Sequence, residues 1–261
     1  MTKKIYVCDN TIQGVFTAIF DAYSAVCNHE TTHENIEICC QGIENFSLFA
    51  EYIDVKSSEE KTTKVSRTVC NRMGYEAYES FCFALACNDD EKGTSIYKTI
   101  VTAFQIKDSF KIMNMWSEPH VAHVIELSRK ARNEFFRWRE FLEFRELSSE
   151  ILYSEIGPVC DIISFLGPHF ENRFPNENFM IHDSIRDIFL IHEKSHHSVI
   201  VSGDSFITSR DALKDYSEKD QLIADLFTTF TKTIGITERK NLKLQQQLMP
   251  LRIQKYKVEF Q

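Results

Sequence analysis

The hydrophobic positions between residues 119 and 140 recur at steps of three and four, which is the spacing of one face of an α-helix. Ser117 before Glu118-Pro119 is a typical helix start, because a serine oxygen can cap free amides and proline is tolerated in a first turn. The side chains separate into a small or apolar face and a polar, largely cationic face stacked at intervals of four. The first face is Val121, Val124, Ser128, Ala131, Phe135 and Trp138, and the second is Arg129, Lys130, Asn133 and Arg137.

From residue 141 the period changes to two, which is typical of β-strands. Short polar connections favour an antiparallel hairpin for the first two strands and an antiparallel meander for the last three. A helix is predicted over 160–173, and Gly167-Pro168 is expected to interrupt it, because proline cannot continue the hydrogen-bond ladder. The strands are predicted at 141–147, 151–156, 178–182, 186–192 and 197–201.

The remaining segments are also predicted as short strands and helices. Ser217-x-x-Asp220 resembles a capping box, and it opens a helix with an apolar stripe at Leu222, Leu226, Phe230 and Ile234. Strands are predicted at 4–8, 36–40 and 52–55, and helices at 12–27, 59–73, 75–88 and 94–107. Helices segregated from antiparallel strands indicate an α+β fold. We predict one domain over 1–261, with a helical subdomain at about 56–140 and a basic helical tail at about 237–261.

The charge distribution is uneven along the chain. Hydrophobic residues at 43% and charged residues at 26% are ordinary for a globular protein, so wholesale disorder is excluded. The net charge of −8 argues against a generic nucleic-acid coat. However, residues 128–145 hold six Lys/Arg against three Glu, and residues 231–261 hold seven against two. This asymmetry favours a local anion-binding face on an acidic body, with two solvated cationic helices as the alternative.

The cysteine pattern indicates reduced thiols. Eight cysteines without a C-x-x-C pair, in a chain of 261 residues, do not form the framework of a small secreted domain. The opening MTKKIYVCDN lacks the long apolar run of a signal peptide, and no apolar stretch is long enough to span a bilayer. We therefore expect a cytoplasmic protein with no membrane contact.

Two histidine pairs have metal-ligand spacing. His29-Glu30-Thr31-Thr32-His33 matches H-E-x-x-H, in which two histidines one helical turn apart bind zinc and the glutamate polarises a water. The match follows the end of a predicted helix and has no apolar face to pack, so we interpret it as a solvated connecting loop. We interpret His120 and His123 as solvated histidines, and we predict no metal and no cofactor.

Aromatic and basic residues interleave at the end of the helix over 119–140. Aromatic side chains beside arginines can stack unpaired bases while the cations hold phosphates. The alternative, aromatic core residues with flanking surface arginines, is favoured for Phe135 and Trp138, which fall on the buried face. Phe136 is the exception and is expected to be exposed. The interleaved set is Phe135, Phe136, Trp138 and Phe141 with Arg137 and Arg139.

Four strings together resemble a bacterial family of probable DNA-metabolism proteins. They are IYVCDNTIQGVFTAIFDAY at 5–23, RKARNEFFRWREFLEFREL at 129–147, EIGPVCDIISFLGPHFENRFPNENFMIHD at 155–183 and TERKNLKLQQQLMPLRIQKYKVEF at 237–260. The resemblance implies a protein encoded beside a radical-SAM partner or fused ahead of a uracil-DNA-glycosylase-like domain, and hence a role in DNA repair or modification. It does not imply that this domain is the catalyst.

The resemblance covers particular residues and fails at others. It falls on Arg129-Lys130, Phe144-Arg145-Glu146, Pro168-His169-Phe170 with Arg173, Glu238-Arg239-Lys240-Asn241, Met249-Pro250, Arg252 and Lys255. The chain departs from the family at Phe136, where a polar or basic residue is expected, at Glu140 and Glu143, and at Ile253-Gln254, where aromatics are usual. These departures reduce the capacity for cationic contacts and stacking.

Three classes of function stay open. The leading hypothesis is an accessory DNA repair or modification protein that holds the nucleic-acid backbone with basic residues, giving salt-dependent affinity and little base specificity. The second is a protein-interaction module whose basic face docks an acidic partner such as the radical-SAM protein. The third is an uncharacterised enzyme, for which His169, Arg173 and Glu238 are candidates and no catalytic residue is assigned. The candidate nucleic-acid-binding residues are Arg129, Lys130, Arg137, Arg145, His169, Arg173, Arg239, Lys240, Asn241, Arg252 and Lys255.

Overall fold

The fold is given by a computed structural model that describes residues 2–40, 48–206, 210–234 and 241–260. Helix makes up 57% of the described residues and strand 15%, which confirms the α+β class. Contacts divide the chain into two units, residues 1–132 and residues 133–261. The organisation as one domain stays a prediction.

The first unit is built on a three-stranded parallel sheet. Its strands are β1 (Lys3–Val7), β2 (Ile36–Cys39) and β3 (Ala50–Asp54), in the order β2-β1-β3. Helix α1 (Ile12–Cys27) joins β1 to β2, and the Thr11 side chain caps it by accepting from the Gly14 N–H at 3.0 Å. The prediction that the sheets are antiparallel is wrong here, because strands joined by a helical crossover run in the same direction.

Helices complete the first unit. They are α2 (Glu59–Met73), α3 (Tyr75–Leu85), α4 (Lys92–Gln105) and the first part of α5 (Pro119–Phe141), with short 3₁₀ helices at His33–Asn35 and Ser109–Asn114. Gly74 lies between α2 and α3 with a positive φ of 89°, a conformation in which a side chain is strained. The apolar sides of these helices form the core, with Phe16, Phe81 and Ile96 fully buried.

The second unit contains a mixed sheet of five strands in chain order. They are β4 (Arg145–Glu146), β5 (Leu152–Ile156), β6 (Phe179–Asp183), β7 (Ile188–His192) and β8 (Val199–Ser202). The hairpin β4–β5 and the meander β6–β7–β8 are antiparallel, as predicted. However, β5 and β6 pair in parallel, because helix α6 (Ile163–Arg173) makes the crossover between them.

Helix α6 continues through Gly167-Pro168, so the predicted interruption is wrong. Proline disfavours the helical conformation of the preceding residue partly by a clash with its Cβ, and glycine has no Cβ. The missing side chain also allows close packing, since a Cβ on Gly167 would lie 3.0 Å from the Leu190 side chain. Because Gly167 precedes Pro168, helix α6 can continue through the proline.

The remaining helices follow the mixed sheet. They are α7 (Gly203–Phe206), α8 (Glu218–Ile234), α9 (Leu242–Leu248) and α10 (Leu251–Gln254), with 3₁₀ helices at Arg210–Lys214 and Val258–Phe260. The tail is held in the second unit by Ile253, which is fully buried, and by Tyr256, whose ring meets Trp138 edge-on at 5.5 Å. A Cβ on Gly157 would overlap the hydroxyl oxygen of this tyrosine, so a larger residue at this position would force the ring to shift.

Candidate nucleic-acid interface

The two faces predicted for helix α5 are observed. Val121, Val124, Ser128, Ala131 and Trp138 are buried, and Phe135 is half-buried. Arg129, Lys130, Asn133 and Arg137 are all exposed. Arg129 and Lys130 belong to the first unit and Arg137 to the second.

The last turns of α5 form an aromatic and cationic surface in the second unit. The rings of Phe135 and Phe136 lie 5.4 Å apart, and the ring of Phe135 meets Phe165 of α6 edge-on at 6.4 Å. The guanidinium of Arg139 lies over both α5 rings, 4.7 Å from the centre of Phe136 and 5.7 Å from the centre of Phe135. Phe136 is 38% exposed, as predicted, so an exposed ring carries a cation on one face.

Two predicted residues of α6 complete this surface. Burial lowers the pKa of His169, and the charges of Arg139 and Arg173 lower it further. His169 packs edge-on against Phe170 at 4.9 Å, and Arg173 is exposed. Among the residues that the structure describes, no carboxylate forms an ion pair with Arg139 or Arg173. We call Phe136, Arg139, His169 and Arg173 the cationic–aromatic surface.

Arg145 instead fixes the start of helix α8. Its guanidinium donates to Asp220 from Nε at 2.8 Å and from a terminal nitrogen at 2.8 Å, and it lies 3.6 Å from the centre of the Tyr216 ring. Asp220 also accepts from the Glu146 N–H at 3.0 Å, while its own N–H donates to Ser217 Oγ at 3.1 Å. The Ser217 half of the predicted capping box is thus present. The Asp220 carboxylate does not complete the box, because it accepts hydrogen bonds from Arg145 and from the Glu146 N–H.

A polar cavity of about 230 Å³ lies beside Arg145 and also includes Lys255. Lys255 is exposed and its ammonium lies 4.4 Å from the centre of the Tyr256 ring. The other lining residues are Glu143, Tyr153, Ser154, Glu155, Tyr216, Tyr256 and Val258. The structure therefore brings Arg145 and Lys255, two of the predicted cations, to one cavity. This cavity shares no lining residue with the cationic–aromatic surface.

Arg252 is paired with a buried carboxylate. Glu134 is 4% exposed and accepts from Arg252 at 2.8 Å, and from the backbone N–H groups of Val159 at 2.9 Å and Cys160 at 2.8 Å. These contacts join α5, the segment before α6 and the tail within the second unit. Asn241 also makes a structural contact, because its side chain caps α9 by accepting from the Leu244 N–H at 3.0 Å. Arg239 and Lys240 lie outside the described residues.

A chain of hydrogen bonds that begins at buried residues of the mixed sheet and ends at the exposed Arg210 was not predicted. Tyr153 Oη lies 3.1 Å from His182 Nδ1, His182 Nε2 lies 3.2 Å from Asp187, and Asp187 accepts from Arg210 at 2.7 Å. Burial raises the pKa of Tyr153, and so does the charge of Glu155, so the phenol stays protonated. Tyr153 reaches the polar cavity, but it lies 29 residues from His182, and Arg210 lies 23 residues from Asp187, so no local pattern indicates these two contacts.

The H-E-x-x-H match does not form a zinc-protease helix. His29 lies in a turn after α1 with a φ of 61°, and His33 begins a short 3₁₀ helix, so the two rings do not share a helical face. This confirms the interpretation as a connecting loop. The loop is not fully solvated, because His33 Nδ1 lies 2.8 Å from Tyr97 Oη and burial lowers the pKa of His33.

His123 also differs from its predicted solvated state. Its ring contacts Ser95 Oγ at 2.9 Å and Asp89 at 3.3 Å, and only 26% of its side chain is exposed. His120 is exposed, as predicted. Within the described ranges, no three His, Cys, Asp or Glu side chains gather into a group that could hold a metal ion. The same part of the chain contains no helix that is both long and apolar enough to cross a membrane.

The fold and the cationic–aromatic surface define an α+β protein with exposed arginine and aromatic side chains on its second unit. A family model for a domain of unknown function, DUF4130, matches residues 90–259. The chain belongs to this family, and the match includes the whole second unit up to residue 259. No curated protein matches the chain.

Proposed function

We propose that this protein binds nucleic acid through the cationic–aromatic surface, as an accessory protein in DNA repair or modification. The observation that carries the proposal is the position of the Arg139 guanidinium over the exposed ring of Phe136, with His169 and Arg173 beside it. Cations next to an exposed aromatic ring are the combination used to bind single-stranded nucleic acid.

The proposed contacts divide into two kinds. Arg139 and Arg173 contact backbone phosphates, which supplies affinity that falls steeply with salt and carries no sequence information. An unpaired base stacks on Phe136, which tolerates any base because every base has a π-face. Arg137 is an exposed cation of the same unit and can extend the track along the backbone. The protein therefore prefers single strands and binds them with little sequence specificity.

The wider role rests on the family resemblance. Similarity to probable DNA-metabolism proteins, encoded beside a radical-SAM protein or fused to a glycosylase-like domain, supports a place in DNA repair or modification in the cytoplasm. In this role the radical-SAM partner or another enzyme performs the chemistry, and this chain presents the DNA.

The direct test is fluorescence anisotropy with single- and double-stranded oligonucleotides at low and moderate salt. The double variant Arg139→Glu/Arg173→Glu should weaken single-strand binding at least tenfold. Arg67→Glu is the matched control, because Arg67 is an exposed arginine on α2 of the first unit. Arg129→Glu/Lys130→Glu and Arg239→Glu/Lys240→Glu test the other predicted cations. Absence of binding by the wild type at low salt, or equal loss in the Arg67 control, would reject the proposal.

A second candidate function, a protein-interaction module, is favoured by helix α8. Its predicted apolar stripe is exposed rather than buried, with Leu222 60%, Leu226 62%, Phe230 58% and Ile234 57% exposed. A contiguous exposed apolar face is a common feature of protein interfaces. The test is co-elution in size-exclusion chromatography with the radical-SAM protein that the resemblance implies. Leu226→Asp/Phe230→Asp should abolish co-elution, whereas Thr229→Asp, at an exposed position of the same helix, should preserve it.

A further inference from the structure

A second candidate site lies in the first unit, at the carboxyl edge of the parallel sheet. Strand β1 is central, with β2 on one side and β3 on the other, so the chain reverses its winding direction at β1. Open sheets with helical crossovers bind ligands at such a point, beyond the carboxyl ends of the strands. A cavity of about 400 Å³ occupies this place, lined by Val7, Cys8, Asp9, Asn10, Cys40, Asp54 and Val55.

Two thiols meet in this cavity. Val7 pairs with Cys39 in the parallel ladder, and the Cys8 N–H donates to the Cys39 carbonyl at 3.0 Å, so Cys8 and Cys40 are the next residues on neighbouring strands. The Cys8 thiol donates to the Cys39 carbonyl oxygen at 3.6 Å, and Cys8 and Cys40 both line the cavity. Neighbouring strands lie about 5 Å apart, which is within the Cα separation that a disulfide spans.

The first turn of helix α4 lies against Cys40. A Cβ on Gly93 would lie 2.6 Å from Cys40 Sγ, so only glycine allows this approach. The Gly93 backbone therefore packs closely against the sulfur, and the ammonium of Lys92, a fully buried residue whose charge acts on Cys40, donates to the carbonyl oxygens of Leu85 at 2.8 Å and Cys87 at 2.7 Å. A helix amide and a nearby cation both favour a thiolate.

The two sulfurs consequently differ in acidity. The interaction with Cys8 lowers the pKa of Cys40, and the charge of Lys92 and the Gly93 backbone lower it further against the opposing effect of burial. The interaction with Cys40, followed by burial, raises the pKa of Cys8. Cys40 is therefore the nucleophile of the pair, and Cys8 retains its proton.

We propose that Cys8 and Cys40 form a dithiol redox site that a hydroperoxide oxidises to a disulfide. In the first step the Cys40 thiolate attacks a peroxide oxygen; the S–O bond forms, the O–O bond breaks, and the leaving oxygen takes a proton as water or alcohol. In the second step Cys8 sulfur attacks Cys40 sulfur; the S–S bond forms, the S–O bond breaks, and hydroxide leaves as water with the Cys8 proton. The two thiols lose two electrons to the peroxide.

The test treats the full chain with graded hydrogen peroxide, blocks the remaining thiols with iodoacetamide and measures the intact mass. The disulfide protects two thiols from alkylation and removes about 2 Da. Trypsin with a glutamate-specific protease separates residues 5–30, which contain Cys8 and Cys27, from residues 38–44, which contain Cys39 and Cys40. A Cys27→Ser background therefore assigns the link to Cys8.

The expected result is a link between the two peptides in Cys27→Ser and in Cys39→Ser, and none in Cys8→Ser or Cys40→Ser. In Cys8→Ser the Cys40 sulfenic acid should accumulate and react with dimedone. Cys27 is an exposed thiol and serves as the rate control in the wild type. Circular dichroism checks that each serine variant is folded. Failure to form the link in excess peroxide, a link through Cys39 instead, or oxidation of Cys27 as fast as Cys40 would overturn the proposal.

Discussion

Replacing Glu134 by alanine should destabilise the second unit strongly, although Glu134 lies on a helix whose other polar residues are largely exposed. The carboxylate is 4% exposed and accepts three hydrogen bonds, from Arg252 and from the N–H groups of Val159 and Cys160. An unsatisfied buried N–H costs about 1–3 kcal/mol, and hydrogen bonds to a charged group contribute about 1.5–3 kcal/mol each.

The three contacts do not contribute equally. Val159 is 50% exposed, so its N–H can be hydrated after the substitution, whereas Cys160 is fully buried. The Arg252 side chain is 36% exposed, so the loss of its ion pair is screened by solvent. We therefore expect Glu134→Ala to lower the free energy of unfolding by about 3–5 kcal/mol. Arg252→Gln should cost about 1 kcal/mol or less.

The assay is urea unfolding followed by tryptophan fluorescence in a Trp116→Phe background. Trp138, 1% exposed and in contact with Tyr256, then reports on the second unit alone. Glu140→Ala is the matched control, since Glu140 is an exposed glutamate of the same helix, and it should change the free energy by less than about 0.5 kcal/mol. A loss below about 1 kcal/mol for Glu134→Ala, or an equal loss for Arg252→Gln, would refute this reasoning.

Three further predictions concern the cationic–aromatic surface and the tail. Phe136→Ala should weaken single-strand binding about tenfold and duplex binding little, because it removes a ring on which an unpaired base stacks. Phe110→Ala is the control, since Phe110 is an exposed phenylalanine of the first unit, and it should have no effect in the same anisotropy assay. Burial and two arginines lower the pKa of His169 below its unfolded value of about 6.5, so the unfolded chain binds the proton better and the protein loses stability as the pH drops below that value. His169→Gln should reduce this acid sensitivity in urea midpoints measured from pH 7 to 5. An unchanged pH profile of the urea midpoint would count against this prediction. Gly157→Ala should cost about 1–3 kcal/mol by overpacking against the Tyr256 hydroxyl, and a double-mutant cycle with Tyr256→Phe should recover part of that loss.

Local signals predicted the helices well. Helix α1 was predicted at 12–27 and α2 at 59–73, and both are observed with those bounds. The Thr11 cap and the three- and four-residue spacing of apolar side chains are contained within the helix itself, so one sequence is sufficient to indicate them. The exposed face of α5 was predicted for the same reason.

Strand direction and side-chain partners are not contained in local patterns. The parallel pairing of β1 with β2 and of β5 with β6 depends on crossover helices, and the alternation of strand and helix was the only indication. Arg145 was predicted as a phosphate contact, yet its carboxylate partner Asp220 lies 75 residues away. A positive charge in a sequence does not reveal whether a buried or bridging carboxylate already binds it.

The salt dependence of single-strand affinity is the sharpest test of whether the cationic–aromatic surface binds the nucleic-acid backbone. Each phosphate contact adds about 0.7 to the negative slope of log affinity against log salt for single strands. Arg139→Glu/Arg173→Glu should therefore reduce that slope by about 1.4 relative to wild type, while Arg67→Glu leaves it unchanged. A slope that is the same in wild type and the double variant would contradict the account.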